Sequence, residues 1–230
     1  MLRRVDLFLL LQKDFSGYQK YYGIRADRVR FLPWKINLSE TISTMKIEEG
    51  DYAFAGGLTH RDWATLANAM QGLSIPLIIS IPNDNVLLTE GLTTILPDQR
   101  DFGPNTKIIR HDANPRSWLE LVARSKFVVL PITADSLNPS GISTYLSIIT
   151  LKKCCIISEG PSTKGILSSE TSLVIPPNDA KALRKAILLV NSDDNLRHRL
   201  AEGGYTYAMS LGGVSRLHFD FIKEILKCLN

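Results

Sequence analysis

The feature that most constrains this chain is a repeated alternation, from residue 51 onward, of short apolar runs with segments of helical periodicity. Short apolar runs bounded by turn residues are typical of strands that are buried on both faces of a sheet. Strands that alternate with helices pair in parallel, because each helix carries the chain back across one face. The runs that predict strands are 51–57, 76–81, 107–111, 126–131, 154–158 and 173–176. We therefore predict an α/β, Rossmann-like fold with a parallel sheet flanked by helices.

Helices are predicted between these strands and after the last one, over 61–72, 118–123, 142–151, 162–168, 179–190, 193–207 and 214–229. Asp179 and Asp193 stand where helix caps are expected. Residues 84–104 have no clear period. The final helix carries an apolar stripe along one side, formed by Val214, Leu217, Phe221, Ile225 and Leu229.

The first 38 residues supply only a strand over 5–11, a helix over 15–22 and a second strand over 29–33. Asp14 is placed to cap that helix and Gly23 to end it. So few elements cannot bury a core alone, so they must pack on the rest of the chain or on another chain. The polar stretch that follows predicts a linker. We divide the chain into 1–38, a linker over 39–50, a main domain over 51–210 and a C-terminal helix over 211–230.

Composition excludes several classes of protein. The chain has 230 residues, with 27 Lys and Arg against 23 Asp and Glu, a balance too weak to indicate nucleic-acid binding. Three cysteines, two of them adjacent, predict buried thiols in a reducing cytosol rather than a disulfide framework. No His or Cys spacing indicates a metal site. No apolar run approaches the roughly 20 residues of a membrane span, and the opening run is broken by Asp6, so it predicts a strand rather than a signal peptide.

The first candidate site follows the strand over 51–57. Gly56 and Gly57 would let a phosphate approach the backbone, and Arg61 would offer its forked donors to phosphate oxygens. The pattern is neither Gly-x-Gly-x-x-Gly nor a P-loop. A tight strand–helix turn with a surface arginine explains it equally well.

The second candidate site is the loop over 130–145, which joins a strand to a helix. The residues that would expose successive N–H groups at the helix start are Ser140, Gly141, Ile142 and Ser143. A helix N-terminus suits an anion, although an ordinary loop explains the same residues. Both candidate loops follow strands and so face the same edge of a parallel sheet. A diphosphate held between them is physically sensible.

The third candidate is Arg110-His111-Asp112, at the end of another strand. His111 could border the pocket and meet a nucleotide base, although a solvated loop surface is the commoner explanation. No nucleophile–base pair, Gly-x-Ser-x-Gly elbow or acidic metal cluster is readable. Catalytic residues therefore remain unassigned.

The order of these motifs resembles the C-terminal, donor-binding half of GT-B-fold glycosyltransferases of the family-4 type. Tyr52-Ala-Phe-Ala-Gly56-Gly57-Leu58 resembles the family's strand ending in Gly-Arg-Leu, and 127–131 resembles the strand before its donor loop. The segment 173–179 with the helix after it resembles the family's closing Leu-Val-Pro-x-x-Asp motif. The segment 5–33 resembles the last elements before the interdomain linker, and so a remnant of the acceptor-side domain.

The sequence also departs from the family. The two glutamates usual around the donor loop fall on Asn138 and Leu146, and the family's arginine falls on Gly57. Asn138 can still hydrogen-bond a sugar hydroxyl, but Leu146 cannot hold a ribose, and Arg61 is a substitute for the missing basic group. The resemblance implies a nucleotide-diphosphate site with an unusual ribose contact.

The resemblance implies metal-independent transfer of a sugar from a UDP- or GDP-sugar to a glycan or lipid-linked acceptor, with no cofactor, in the cytoplasm or at the inner membrane face. Almost all of the acceptor domain is missing from this sequence, so the resemblance implies either a C-terminal fragment of a longer enzyme or a partner chain that supplies the acceptor half. The last helix packs on that domain in the family, so its apolar stripe would be partly bare here and would favour self-association. Two alternatives stay open: a degenerate, non-catalytic binding domain, and another doubly wound enzyme such as a sugar-phosphate epimerase.

Overall fold

A computed structural model describes residues 4–57, 59–83, 98–111, 114–134 and 137–229. Over these residues the strands form two parallel sheets, one of two strands and one of six. The small sheet pairs β1 (Phe8–Leu10) with β2 (Val29–Phe31). The large sheet contains β3 (Ala53–Gly56), β4 (Leu77–Pro82), β5 (Thr106–His111), β6 (Phe127–Leu130), β7 (Cys155–Ser158) and β8 (Leu173–Ile175). The predicted α/β, Rossmann-like fold is confirmed.

The large sheet has the strand order β5-β4-β3-β6-β7-β8, and every pair is parallel. The chain runs outward from β3 through β4 to β5, then returns to the other side of β3 with β6. The order therefore reverses between β3 and β6. In open parallel sheets the crevice for a ligand lies at such a reversal, outside the carboxyl ends of the strands.

The helices are α1 (Ser16–Tyr22), α2 (Ser39–Ser43), α3 (Trp63–Met70), α4 (Pro115–Ala123), α5 (Ile142–Thr150), α6 (Ala180–Ser192), α7 (Asp194–Leu211) and α8 (Val214–Leu229), with short 3-10 turns at Ala26–Arg28 and Gln99–Phe102. Three begin with an aspartate cap, as the sequence suggested for two of them. Asp62, Asp179 and Asp193 each accept a hydrogen bond from the N–H three residues later, at 2.9–3.0 Å. Such caps stabilise a helix by about 1 kcal/mol.

The core forms one layer on each face of the large sheet. Alternation along β3 shows this directly, because Ala53 and Ala55 join the cluster beneath α3 and α6, whereas Phe54 joins the cluster beneath α4 and α5. Helices on both faces explain why the strands are apolar at every position. Both layers are closely filled, with Leu66 and Leu146 at most 1% exposed.

Two sequence-based predictions are wrong in detail. The predicted helix over 162–168 is a series of turns. The Thr163 hydroxyl bonds the N–H and carbonyl of Gly160, and Gly165 adopts a left-handed φ of 69°, so the backbone is drawn out of helical geometry. The predicted buried strand over 5–11 is shorter, and its residues are only half-buried.

The predicted linker packs closely on the main domain. Ile42 is buried, and α2 lies within the segment. Farther along, the N–H of Glu48 bonds the carbonyl of Ala123, while Lys153 Nζ donates to the carbonyl of Glu48. The Glu49 carboxylate pairs with the buried Arg197. The end of the predicted linker is therefore held by hydrogen bonds and an ion pair to α4, to Lys153 before β7 and to α7.

The final helix, α8, is attached at its beginning and along one side. Gly213 bridges to Ile36, and Asp220 pairs with the buried Lys35 at 3.0 Å. The predicted stripe lies mostly on the outside: Val214, Phe221 and Ile225 are exposed, as are Phe219, Ile222 and Leu226. Within the described ranges, none of the helices combines the length and apolar character needed to cross a bilayer.

Candidate functional site

The two loops singled out in the sequence meet beside the strand-order reversal. The carbonyl of His60 accepts a hydrogen bond from Thr133 N at 3.0 Å, and Asp62 N donates to the carbonyl of Pro131 at 3.1 Å. Between these bonds, Arg61 and Ile132 form an antiparallel bridge. The loop after β3 and the loop after β6 are therefore locked together by main-chain bonds.

Arg61 is the central side chain of this joint. The residue is only 6% exposed, so the alternative explanation, a surface arginine in a tight turn, is wrong. It also precedes α3, although the sequence predicts that the helix begins at this residue. Its Nε donates to the carbonyl of Gly56 at 2.9 Å and its Nη1 to the carbonyl of Thr59 at 2.7 Å. Its Nη2 donates to Thr144 Oγ1 at 3.3 Å. All three partners are neutral.

No carboxylate among the described residues forms an ion pair with Arg61. Burial lowers the pKa of this guanidinium to about 10, so the group stays charged at neutral pH. A buried charge without a counter-charge is costly, and folded proteins seldom keep one without a use. Arg61 is therefore a candidate binding group for an anion.

Gly57 makes room for this guanidinium. Its φ is +124°, and a Cβ at position 57 would overlap Arg61 Nη2 and lie only 2.5 Å from Cζ. Any other residue would collide with Arg61 and would also strain the backbone. Arg61 can therefore occupy its buried position only because residue 57 has no side chain.

The N-terminus of α5 lies against the same arginine. Gly141 is the N-cap, with φ of 85°, and its carbonyl accepts the N–H of Tyr145 at 2.8 Å. The N–H groups of the first helical turn, at residues 142–144, have no partner within the helix, as at every helix start. Their dipoles add positive potential beside Arg61.

A cavity of about 360 Å³ opens at this point. It contains six of the predicted site residues: Gly56, Gly57, Arg61, His111, Gly141 and Ser143. Three further lining residues, Phe54, Thr59 and Thr144, lie within the stretches that carry the candidate sites. The lining residues that sequence reasoning missed are Asn37, Leu38, Ser80, Pro115, Trp118 and Ser147. Helical spacing from Ser143 could have indicated Ser147. Ser80 Oγ is buried and forms no hydrogen bond with the described residues.

The other predicted residues line a second cavity of about 410 Å³, which adjoins the first. These are Asn138, Ser140 and Ile142, and the walls shared with the first cavity are Thr59, Gly141 and Ser143. The remaining lining residues are Leu11, Trp34, His60 and Pro139. The structure thus divides the predicted set between two neighbouring cavities.

Other positions singled out in the sequence are not among the described residues that line these cavities. Leu146 is buried in the core and lines neither cavity. Leu58, Asp112, Asp135 and Ser136 lie outside the described residues. Over the part of the chain that is described, no group of three His, Cys, Asp or Glu side chains could hold a metal ion.

Sequence comparison finds no relative: neither a family model nor a curated protein matches this chain. Solved structures do match it. A glycosyltransferase from Rickettsia africae ESF-5 superposes with a TM-score of 0.74 at 12% identity, over 99% of this chain and 64% of that one. HepE from Anabaena, solved with UDP-glucose, gives a TM-score of 0.70 at 11% identity, over 96% of this chain and 64% of HepE.

The C-terminal domain of a group 1 glycosyl transferase, LpcC from Francisella tularensis, also matches. Its TM-score is 0.53 at 15% identity, over 76% of this chain and 92% of that domain. This confirms the predicted GT-B fold and its C-terminal, Rossmann-like half. The chain spans less than two thirds of the Rickettsia enzyme and of HepE.

Proposed function

We propose that this chain is the nucleotide-sugar-binding half of a glycosyltransferase. The observation that carries the proposal is Arg61, a buried cation without a carboxylate partner among the described residues, at the N-terminus of α5 and at the carboxyl ends of β3 and β6. A diphosphate is the anion that fits this combination of a forked donor and free helix N–H groups. Likeness to HepE, which was solved with UDP-glucose, makes UDP the first nucleotide to test.

In this proposal the diphosphate lies between Arg61 and the first turn of α5. Negative charge grows on the diphosphate as the bond to the sugar breaks, and fixed positive charge stabilises that change. Arg61 and the helix dipole would supply this charge without a metal ion. The base would lie along the aromatic wall of the first cavity, against Phe54, Trp118 and His111.

The acceptor would bind elsewhere, on further polypeptide or on a partner chain. Neither cavity has an Asp or Glu side chain among its described lining residues. A carboxylate base for the acceptor hydroxyl would then come from the acceptor side. We expect the isolated chain to bind the donor and to transfer little or no sugar to glycan or lipid-linked acceptors.

Calorimetric titration of the purified chain with UDP, GDP and ADP, without metal, tests the proposal. We expect saturable binding of one nucleotide, weakened about tenfold or more in Arg61→Gln, because a charge-assisted hydrogen bond contributes about 1.5–3 kcal/mol. Arg184→Gln is the matched control, since Arg184 also donates to carbonyls, those of Ala69 and Gln71, but lies outside both cavities. Thermal unfolding of each variant separates lost binding from lost folding. Equal binding by both variants, or none by the native chain, would contradict the proposal.

A non-catalytic binding domain is the second candidate. The observation that favours it is the same absence of carboxylates from the described lining of both cavities. Such a domain would bind the nucleotide sugar and leave it intact. Incubation with UDP-glucose and a mixture of glycan and lipid-linked acceptors, followed by mass spectrometry, tests this second candidate: any Arg61-dependent sugar transfer excludes it, whereas little or no transfer by the isolated chain is expected of both candidates.

A further inference from the structure

The second cavity lies between the two sheets. Leu11 follows β1 and Trp34 follows β2, whereas Asn138 and Ser140 belong to the loop after β6. The carboxyl end of the small sheet and that of the large one therefore both contribute walls. Because the two cavities share Thr59, Gly141 and Ser143, a group bonded to the diphosphate would extend directly from the first into the second.

The chemistry of the two linings differs. The first cavity contains the buried Arg61, whereas no Lys, Arg, Asp or Glu side chain is among the described residues that line the second. Its polar groups are the amide of Asn138, the hydroxyls of Ser140 and Ser143, the imidazole of His60 and the indole of Trp34. Trp34 Nε1 is buried and forms no hydrogen bond with the described residues. Neutral donors and acceptors around an aromatic ring suit an uncharged polyol.

His60 is held in an unusual backbone conformation at this boundary. Its φ is 53°, which is uncommon for a residue other than glycine and costs about 1 kcal/mol or more. The hydrogen bond from Thr133 N to its carbonyl fixes that conformation. As a result, His60 lines only the second cavity while the next residue, Arg61, lines only the first.

We propose that the second cavity takes the sugar of the bound nucleotide sugar, that it accepts an uncharged hexose, and that His60 determines this specificity by hydrogen-bonding a sugar hydroxyl. The inference rests on the proposed function and deepens it. A uronate would bring a carboxylate against a lining without Lys or Arg among its described residues, so no ion pair with them would compensate for the hydration that the carboxylate loses. An uncharged hexose has hydroxyls that match the amide, hydroxyl and imidazole groups.

The test is a titration of the native chain with UDP, UDP-glucose and UDP-glucuronate. We expect UDP-glucose to bind about fivefold more tightly than UDP, and UDP-glucuronate to gain nothing over UDP. His60→Gly, which keeps the backbone conformation accessible, should remove the advantage of UDP-glucose and leave the affinity for UDP unchanged. His60→Asn, whose amide also tolerates a left-handed backbone, should retain part of that advantage.

Lys152→Gly is the matched control, because Lys152 has a φ of 52° but lies at the opposite end of α5, beyond both cavities. It should leave the ratio of the two affinities unchanged. A merely structural role for His60 would change binding of UDP and UDP-glucose together. Equal affinity of the native chain for UDP and UDP-glucose, or tighter binding of UDP-glucuronate, would overturn the inference and leave the proposed function standing. Absence of UDP binding would instead overturn the proposed function, and the inference with it.

Discussion

Arg61 Nη2 donates to Thr144 Oγ1 at 3.3 Å, although 83 positions separate the two residues in the sequence. This bond ties the loop after β3 to the first turn of α5. It orients the guanidinium toward the helix N-terminus, where both would act on one anion. Changes that displace Arg61 should therefore reduce both the stability of the joint and its affinity for a diphosphate.

Gly57→Ala should have this double effect. The added Cβ would overlap Arg61 Nη2, and the φ of +124° is unfavourable for alanine. We expect a loss of about 1–3 kcal/mol in the free energy of unfolding and about a tenfold loss of UDP affinity. Urea denaturation and calorimetric titration measure the two effects.

Gly72→Ala is the control for that experiment. Gly72 also has a positive φ, of +69°, but no atom lies near the position of its added Cβ. Gly72→Ala should therefore lose only about 1 kcal/mol in the free energy of unfolding, from backbone strain, and its UDP affinity should be unchanged. Equal UDP affinity in Gly57→Ala and the native chain would show that Arg61 does not hold the diphosphate.

Gly141→Ala should destabilise the start of α5. Its Cβ would lie 2.8 Å from Ile132 Cδ1, and the φ of +85° adds strain. We expect a loss of about 1–3 kcal/mol in the free energy of unfolding. The double variant with Ile132→Val, which lacks that methyl group, should recover part of the loss in urea denaturation. If the two losses simply add, the steric explanation is wrong.

Lys153 should make stability depend on pH in the alkaline range. Burial lowers its pKa from 10.5 to about 8. Between these values the unfolded chain binds more protons than the folded chain, so the free energy of unfolding rises with pH. Below about pH 8 the full cost of charging the buried amine is present.

Urea denaturation from about pH 7.5 to 10 measures this effect as a difference between the native chain and Lys153→Met. The variant also loses the bonds from Lys153 to the carbonyls of Glu48 and Ser125, so its absolute stability should be lower. Its stability should nevertheless lack the rise with pH that Lys153 contributes. Parallel pH curves for the two proteins would rule out the lowered pKa.

The outer face of α8 should contribute little to stability. Phe221 and Ile222 are 46% and 56% exposed, so the double replacement by glutamine should change the free energy of unfolding by less than about 0.5 kcal/mol. Leu200→Ala is the contrasting variant, because Leu200 is 1% exposed and its truncation should cost about 2–5 kcal/mol. A comparably large cost for the α8 variant, measured by urea denaturation, would show that this face is covered.

Much of the fold could be predicted because the strands are buried on both faces. Phe127–Leu130 and Cys155–Ser158 are apolar or small at nearly every position, and such runs have few alternatives. The prediction of a helix over 162–168 is wrong because a side-chain hydrogen bond at Thr163 decides the conformation of this segment. Local periodicity does not contain that information.

The site could be predicted only in outline. Gly56, Gly57 and Gly141 stand next to predicted strands or helices, so they could be assigned to the sheet edge. The burial of Arg61 could not be foreseen, since it depends on Thr144, which is distant in the sequence. Asn37, Leu38 and Trp118 reach the first cavity only after α4 and the segment between β2 and α2 have packed on the sheet.

The order of the large sheet also bears on how the chain folds during synthesis. Strand β3 is the first of the six to be made, and it lies between β4 and β6. On the ribosome, β3, β4 and β5 can pair while the other edge of β3 remains open until β6 emerges. An open edge of this kind invites pairing with other chains. The nascent protein is therefore most vulnerable to aggregation between the emergence of β5 and the emergence of β6 from the ribosome.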